Sequence, residues 1–242
     1  MNIFVYPTKA EADNAAAWVL IKKMLTEDGI IGLATGDTTR AVFDVAAKLY
    51  AVAPFDTSKV RFSAVDDYYG IPDGHIASCS QRIREQVQKP LGLKDGQIFL
   101  PSRFSDLSET ECAAAYEKLL ADEGGVKTQF LGIGGDGHLG FCRPKTPFNS
   151  LAHAIKLPDD TRNMLFDKYA LPKDQLPEYG ISLGLMSIMR IPEIIVIATG
   201  TKKAEAVRLS LCEAPTEDVP ASILQMHPNV TWILDAEAAG EL

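Results

Sequence analysis

Cysteines are few in this 242-residue sequence, and none lies close to another. The four are Cys79, Cys112, Cys142 and Cys212, so the chain has no CxxC pair and no spacing typical of a zinc finger. Isolated cysteines of this kind indicate free thiols rather than a disulfide framework. We therefore expect a protein of a reducing compartment, the cytoplasm.

Long apolar runs and blocks of like charge are also missing. No run approaches the roughly 18–20 apolar residues of a membrane span, and the N-terminus lacks the features of a signal peptide. The net charge of −8 includes no basic stripe of the kind that binds nucleic acid. We expect neither a membrane nor a nucleic-acid partner. An anionic small molecule remains compatible, because a site needs only local positive charge.

The composition that remains is ordinary for a globular protein, with 46% hydrophobic and 23% charged residues. Short β-branched runs alternate with longer helical patterns, which predicts an α/β fold with a mainly parallel sheet and helices on both faces. No repeat or linker interrupts the pattern, so we expect one domain over residues 1–242. The predicted strands are Asn2–Tyr6, 29–34, 60–65, 97–100, 128–133, 192–198 and 230–234. The predicted helices are 7–24, 38–49, 78–87, 109–120 and 202–211.

Sheets of this type bind ligands at the carboxyl ends of their strands, so the chemistry is expected in the loops that follow them. The first such loop holds Thr35, Gly36 and Thr38, where a strand ends and a helix begins. Backbone N–H groups and hydroxyls at a helix start suit a phosphate. Asp37 opposes this interpretation because a carboxylate repels phosphate. The alternative is a simple helix cap.

The next loop presents Asp66 and Asp67 just after a strand. A neighbouring like charge raises the pKa of one carboxyl, and such a group can shuttle a proton as a general base. The alternative is an acidic turn that Gly70 closes. The stretch 143–156 lacks periodicity and is predicted to be a lid or a long loop.

A glycine-rich turn over 131–141 presents Asp136 and His138. Its glycines fit GxGxxG, but no helix-forming stretch follows, and no acidic residue ends a strand about 20 positions later, as a dinucleotide site requires. An acid beside a histidine can fix the tautomer of the imidazole and raise its basicity. The alternatives are a histidine bonded to a backbone carbonyl and, less favoured for want of a third ligand, a metal site.

A last strand end leads to Lys203, in the first turn of a predicted helix. A cation at a helix start is locally unfavourable, which favours a bound anion there over a solvated basic pair.

Together these loops resemble the glucosamine-6-phosphate deaminase (isomerase) family, whose superfamily includes the 6-phosphogluconolactonases. The resemblance covers nearly the whole chain and is carried by six segments in family order. They are LATGDTT, VDDYYG, LGIGGDGHLGF, YGISLGLMSIM, ATGTKKAEAV and PASILQMHP. The later segments resemble the deaminases rather than the lactonases. The resemblance implies a Rossmann-like sheet and conversion of a hexosamine 6-phosphate to a ketose 6-phosphate with release of ammonia.

By the same resemblance, Asp66 matches the base that moves a proton between C2 and C1. His138 matches the residue that helps to open the sugar ring, with Asp136 orienting it. The loop from Thr35 to Thr38 and Lys203 match the phosphate-binding groups. No metal or organic cofactor is implied, and the short chain resembles the bacterial forms for which allosteric control is not expected. We expect a monomer or a small homo-oligomer.

Three departures from the family pattern affect the site. Arg143 stands where the family has a glutamate, Asp37 stands where the phosphate loop normally has serine or glycine, and the phosphate-clamping arginine has no clear match. Arg162 or Lys168 is a candidate for that last role. A further hypothesis is that Arg143 and Asp37 pair across one cleft and reshape the phosphate pocket.

Three functions stay open at this point. The first is a deaminase for a glucosamine or galactosamine 6-phosphate, in which Arg143 supplies part of the anion-binding site; the sequence leaves the epimer undecided. The second is an isomerase or lactonase for another sugar phosphate. The third is a binding protein without catalysis, against which the retained proton-shuttle residues argue.

Overall fold

The computed structural model describes residues 1–72 and 74–242, and its central feature is a parallel β-sheet. The described strands are β1 (Asn2–Tyr6), β2 (Ile30–Leu33), β3 (Arg61–Ala64), β4 (Asp66–Tyr68), β5 (Ile98–Phe99), β6 (Val126–Gly132), β7 (His153–Lys156), β8 (Tyr179–Ser182), β9 (Glu193–Ala198) and β10 (Val230–Asp235). Seven of them form one sheet in the order β1-β10-β9-β6-β2-β3-β5, and every neighbouring pair is parallel. A second, antiparallel sheet has the order β4-β8-β7.

Helices connect the parallel strands, as parallel crossovers require. The described α-helices are α1 (Lys9–Thr26), α2 (Asp37–Val52), α3 (Cys79–Ile83), α4 (Glu109–Asp122), α5 (Asp159–Tyr169), α6 (Leu185–Met189) and α7 (Ala204–Cys212). A π-helical turn, Arg84–Gln88, extends α3. Within residues 1–72 and 74–242, no helix combines the length and apolarity of a membrane span.

The large sheet is buried on both faces. Along β9, Ile194 and Val196 join the core under α4, α6 and α7, whereas Ile195 and Ile197 join the core under α1 and α2. This alternation follows from the two-residue period of a strand. It confirms the predicted α/β fold with a mainly parallel sheet and helices on both faces.

One buried hydroxyl ties α4 to the sheet. The Tyr116 side chain is fully buried, and its oxygen accepts the Ala64 N–H at 3.1 Å. The same oxygen lies 2.7 Å from the Ala64 carbonyl and 3.1 Å from the Phe99 carbonyl. Because unpaired buried polar groups are costly, this hydroxyl fixes α4 against β3 and β5.

The small sheet corrects two sequence expectations. The Asp66–Gly70 stretch, predicted to be a loop, begins with β4, and the 143–156 stretch ends in β7. Strands of three or four residues are too short to establish an alternating pattern, and β4 is largely acidic. The same brevity explains why β8 and α6 were not predicted. Helix α5 was not predicted either, because its sequence is largely polar and has no apolar stripe, with Leu165 as its buried residue. The boundaries of the predicted strands and helices agree with the structure to within a few residues.

Candidate active site

A cleft of about 470 Å³ opens at the carboxyl ends of the central parallel strands. The chain segments after β2, β3, β6 and β9 contribute to it, as expected for this type of sheet. Residues 155–158 and α5 form a further wall. The predicted site residues that line the cleft are Thr35, Gly36, Asp37, Thr38, Asp66, His138, Arg143 and Lys203. Asp136 is not among the lining residues, but its carboxylate is hydrogen-bonded to His138.

Asp66 is a buried carboxyl at the floor of the cleft. Burial raises its pKa to about 6, the Arg82 guanidinium opposes the rise, and the charge of Asp67 adds to it. A carboxyl with a pKa near 6 is mostly ionised at neutral pH yet protonates readily, as a general base requires. Gly140 has φ +56°, and a Cβ there would lie 3.3 Å from Asp66 Oδ2. The glycine therefore allows the loop to pass close to the carboxyl.

Asp67 has a structural role instead. Its Oδ1 accepts the Cys79 N–H at 2.7 Å, and its Oδ2 accepts the Ser80 N–H at 3.0 Å and the Ser78 hydroxyl at 3.2 Å. These donors belong to the start of α3, so the carboxylate fixes that helix to β4. The acidic pair is thus divided: Asp66 faces the cleft and Asp67 holds a helix.

Asp136 and His138 form a close pair. The imidazole Nδ1 donates to Asp136 Oδ1 at 2.5 Å, and this hydrogen bond holds the pKa of the carboxyl well below its usual range. Because Nδ1 is engaged, Nε2 is the ring nitrogen left for proton exchange. A side chain on Gly134 would collide with the imidazole, so the turn needs glycine at that position.

Arg143 lies on the other side of Asp136. Its Nη2 is 3.7 Å from Asp136 Oδ2 and 3.5 Å from Asp160 Oδ2, and its Nη1 donates to the Thr161 hydroxyl at 3.2 Å. The guanidinium therefore links the histidine turn to α5. The hypothesised pair of Arg143 with Asp37 is wrong, since Asp37 pairs with Lys168 instead.

The first turn of α2 forms the anion-binding end of the cleft. The helix begins at Asp37 after Gly36, and its first N–H groups have no partner within the helix. Thr38 lines the cleft, whereas the Thr39 hydroxyl donates to the Ala34 carbonyl at 2.7 Å and is buried. The loop thus combines backbone donors at the helix start with the Thr38 hydroxyl.

Two lysines face this end of the cleft. Lys168 Nζ lies 2.7 and 2.8 Å from the two oxygens of Asp37 and lowers the pKa of that carboxyl. Burial lowers the pKa of the Lys203 ammonium, and no carboxylate among residues 1–72 and 74–242 pairs with it. A half-buried ammonium without a protein partner is suited to an anionic ligand.

Sequence reasoning did not identify Arg82. Its Nη1 donates to the Thr35 carbonyl at 2.9 Å and to the Tyr169 hydroxyl at 3.2 Å, and its Nη2 donates to Cys79 Sγ at 3.0 Å. The sequence offered one signal for it: Arg82 is a cationic residue in the predicted helix that follows the acidic end of a strand. The cleft lining contains five cations and two carboxylates, although the whole chain carries a net charge of −8.

Metal ligation is a separate question for this site. Within the part of the chain that the structure describes, no three His, Cys, Asp or Glu side chains are grouped to hold a metal ion.

Comparison with known proteins agrees with this architecture. A curated glucosamine-6-phosphate deaminase of Clostridium botulinum (strain Kyoto / Type A2) is 33% identical over 243 residues, covering 100% of this chain and 99% of the relative. The corresponding protein of Bacillus pumilus is 32% identical over 239 residues, covering 98% of both chains.

Solved structures give the same result. A monomeric glucosamine-6-phosphate deaminase matches with a TM-score of 0.91 and 28% identity over 100% of both chains. A Trypanosoma brucei 6-phosphogluconolactonase shares the fold, with a TM-score of 0.77 and 21% identity over 100% of this chain and 98% of that one. The family model described as glucosamine-6-phosphate isomerases/6-phosphogluconolactonase matches residues 10–232, and the chain belongs to this family.

Proposed function

We propose that the chain is a hexosamine-6-phosphate deaminase of the aldose–ketose isomerase type. Its substrate is glucosamine or galactosamine 6-phosphate, and its products are the ketose 6-phosphate and ammonia. The observation that carries the proposal is a buried carboxyl with a pKa near 6, Asp66, in one cleft with the Asp136–His138 pair and a cationic end.

The phosphate occupies the cationic end in this proposal. Its oxygens accept from the backbone at Gly36 and Asp37, from the Thr38 hydroxyl and from the Lys203 ammonium. The Thr35 carbonyl, held by Arg82, positions the loop. The sugar then extends from the phosphate toward the carboxyl and the histidine.

His138 moves the proton that opens the sugar ring. Asp136 keeps the Nδ1 proton in place, so Nε2 exchanges a proton with the ring oxygen as the C1–O5 bond breaks. The open-chain aldehyde that results carries the C2 proton that the next step removes. Arg143 lines the same cleft, and its guanidinium lies 3.7 Å from Asp136, so it helps to position the carboxylate that orients His138.

Asp66 then transfers the proton from C2 to C1. The C2 ammonium gives one of its protons to the C1 oxygen, so the aldehyde becomes a C1 alcohol and C2 becomes an iminium, which water hydrolyses to the ketone and ammonia, released as ammonium. The reaction consumes one water and moves only protons, so it has no need of a redox cofactor. The pKa near 6 lets Asp66 accept the C2 proton and return it at neutral pH.

Arg143 favours a second candidate function, an isomerase or lactonase acting on another sugar phosphate. A guanidinium near the reacting histidine suits a substrate with an additional anionic or carbonyl oxygen. Lactone hydrolysis adds water to C1, breaks the ring C–O bond and gives a phosphorylated acid without ammonia. The two candidates therefore differ in their products.

The test is the initial rate of ammonia release from glucosamine 6-phosphate and galactosamine 6-phosphate. We expect release from at least one epimer, reduced about 10²–10⁴-fold in the His138→Ala variant. A phosphorylated acid formed from a lactone, without ammonia, would select the second candidate. Saturable binding without any product would select a binding protein.

We further propose that the chain works in the cytoplasm as a single domain, as a monomer or a small homo-oligomer. Four free cysteines, three of them buried, support a reducing compartment. Of these two states, the related structure described as a monomeric deaminase supports the monomer.

A further inference from the structure

Arg82 lines the cleft, and the groups that hold its guanidinium are all neutral. Its hydrogen bonds, of 2.9 to 3.4 Å, end on the carbonyls of Thr35, Ala77 and Ser78, the Tyr169 hydroxyl and the Cys79 thiol. Among residues 1–72 and 74–242, no carboxylate forms an ion pair with it. The guanidinium is therefore fixed in place, and no direct contact compensates its charge.

A charge that is shielded from water is costly unless an opposite charge compensates it. The carboxylate that does so here is Asp66: of the charges around Asp66, that of Arg82 affects its pKa most, and it lowers that pKa. Cys79 joins the two groups, because its sulfur accepts from Arg82 Nη2 at 3.0 Å and its hydrogen bonding also lowers the pKa of Asp66. Burial raises the pKa of this thiol well above its ordinary value, so it stays protonated and acts as a donor.

The other groups that face Asp66 do not replace the charge of Arg82. Asp67 has the same sign as Asp66 and raises its pKa, and His138 carries a charge only when the imidazole is protonated. The remaining titratable groups are neutral, because burial raises their pKa values: Tyr68 on β4, Tyr116 on α4 and Cys142 between β6 and β7. Arg82 is therefore the permanent cation that faces this carboxyl.

We propose that Arg82 is a positioning residue of the reaction, whose guanidinium, held by neutral acceptors, keeps Asp66 ionised without forming an ion pair with it. The inference rests on the proposed function, because it takes Asp66 as the base that removes the C2 proton. A direct ion pair would lower the pKa of the carboxyl further and occupy its oxygens, and a weaker base would result. A cation on the far side of the Cys79 thiol favours the ionised form and leaves a carboxylate oxygen free for the proton.

Substitutions at this position separate the charge from the hydrogen bonds. Arg82→Lys keeps the charge and loses most of the hydrogen bonds, whereas Arg82→Gln keeps a donor and loses the charge. Arg82→Met loses both, and it is a second neutral variant in case one of the two folds poorly. A purely structural tie predicts that all three lower the melting temperature and that none changes the titration of Asp66.

The test is an NMR titration of protein labelled with ¹³C at the aspartate carboxyls. The signal of Asp66 is identified by its absence in Asp66→Asn. We expect its pKa to rise from about 6 in the wild type to about 7 or higher in Arg82→Gln and Arg82→Met, the effect of losing a nearby cation. In Arg82→Lys it should stay within about 0.5 of the wild-type value, because the charge remains.

The matched control is Arg84→Gln, two positions further along the chain. This arginine lies outside the cleft lining, and its Nη1 is 3.5 Å from Asp95 Oδ1. The same change of charge there should leave the pKa of Asp66 at about 6. An unchanged pKa in the neutral Arg82 variants, or an equal rise in Arg82→Lys, would overturn the proposal.

The pH profile of turnover supplies a second readout. The acid limb of kcat/KM for ammonia release reports the base of the free enzyme, so it should move to higher pH in Arg82→Gln and return in Arg82→Lys. The NMR titration itself does not depend on turnover. An Arg82-dependent pKa without ammonia release would contradict the proposed function and leave the electrostatic role of Arg82 intact. Ammonia release with a pKa that is independent of Arg82 would do the reverse.

Discussion

Replacing Asp66 with asparagine should inactivate the protein and stabilise it at the same time. Burial raises the pKa of this carboxyl from 3.8 to about 6, so folding disfavours its charged form. At 1.36 kcal/mol per pKa unit, the ionised carboxylate costs about 3 kcal/mol of stability at neutral pH. An amide of nearly the same shape carries no charge and avoids this cost.

The pH dependence gives the sign of the effect. The folded state has the higher pKa, so the cost is complete above about pH 6, declines as the pH falls, and is absent below 3.8. At pH 8 the variant should therefore be more stable by up to about 3 kcal/mol. For a chain of this length, that corresponds to a rise in melting temperature of roughly 6–12 °C.

The assay is thermal unfolding of wild type and Asp66→Asn at pH 8, 6 and 4. The difference in melting temperature should be largest at pH 8 and close to zero at pH 4. Asp122→Asn, at an exposed carboxyl on α4, is the matched control and should show no such trend. Equal stability at pH 8, or a difference that does not change with pH, would refute the reasoning. Turnover should fall about 10²–10⁴-fold.

Three other substitutions test catalysis, substrate binding and folding stability one at a time. Asp136→Asn should lower kcat about 10²–10⁴-fold, because it removes the carboxylate that orients His138. KM should change little, and steady-state kinetics measure both constants. Lys203→Met should raise KM about 10-fold and leave kcat nearly unchanged, because the proposed function assigns its ammonium to the phosphate and not to the reacting carbons. In the same steady-state kinetics, a fall in kcat with unchanged KM would contradict that role. Tyr116→Phe should cost about 1–3 kcal/mol of stability, because it leaves the Ala64 N–H without an acceptor; the urea midpoint measures this, and kcat should not change.

Much of the fold was predictable because its main elements are long and periodic. The strand Asn2–Tyr6 and the helix that begins at Glu109 were predicted at the boundaries where the structure has them begin. Capping residues helped, since Ser108 and Glu111 form a capping box at the start of α4. The small sheet was not predicted because its strands have only three or four residues. Helix α5 was not predicted because its sequence is largely polar and has no apolar stripe.

The site residues were predictable where the functional groups lie together in one loop after a strand. Thr35 to Thr38, Asp66 and the turn from Asp136 to His138 each lie directly after a strand, and the parallel sheet brings those strand ends together. The partners of these residues were not predictable, because they come from distant parts of the chain. Lys168 reaches Asp37 from 131 residues away. No local pattern distinguishes that pair from the hypothesised pair of Asp37 with Arg143.

The most direct test of the central claim follows the nitrogen atom itself. Hexosamine 6-phosphates labelled with ¹⁵N at C2, one for each epimer, are incubated with the protein and observed by NMR. The account predicts that the label of at least one epimer appears as free ammonium in equal amount to a ketose 6-phosphate, and that Asp66→Asn slows the appearance of both signals about 10²–10⁴-fold. Label that stays on C2 in both epimers, while a lactone is converted to a phosphorylated acid, would contradict it.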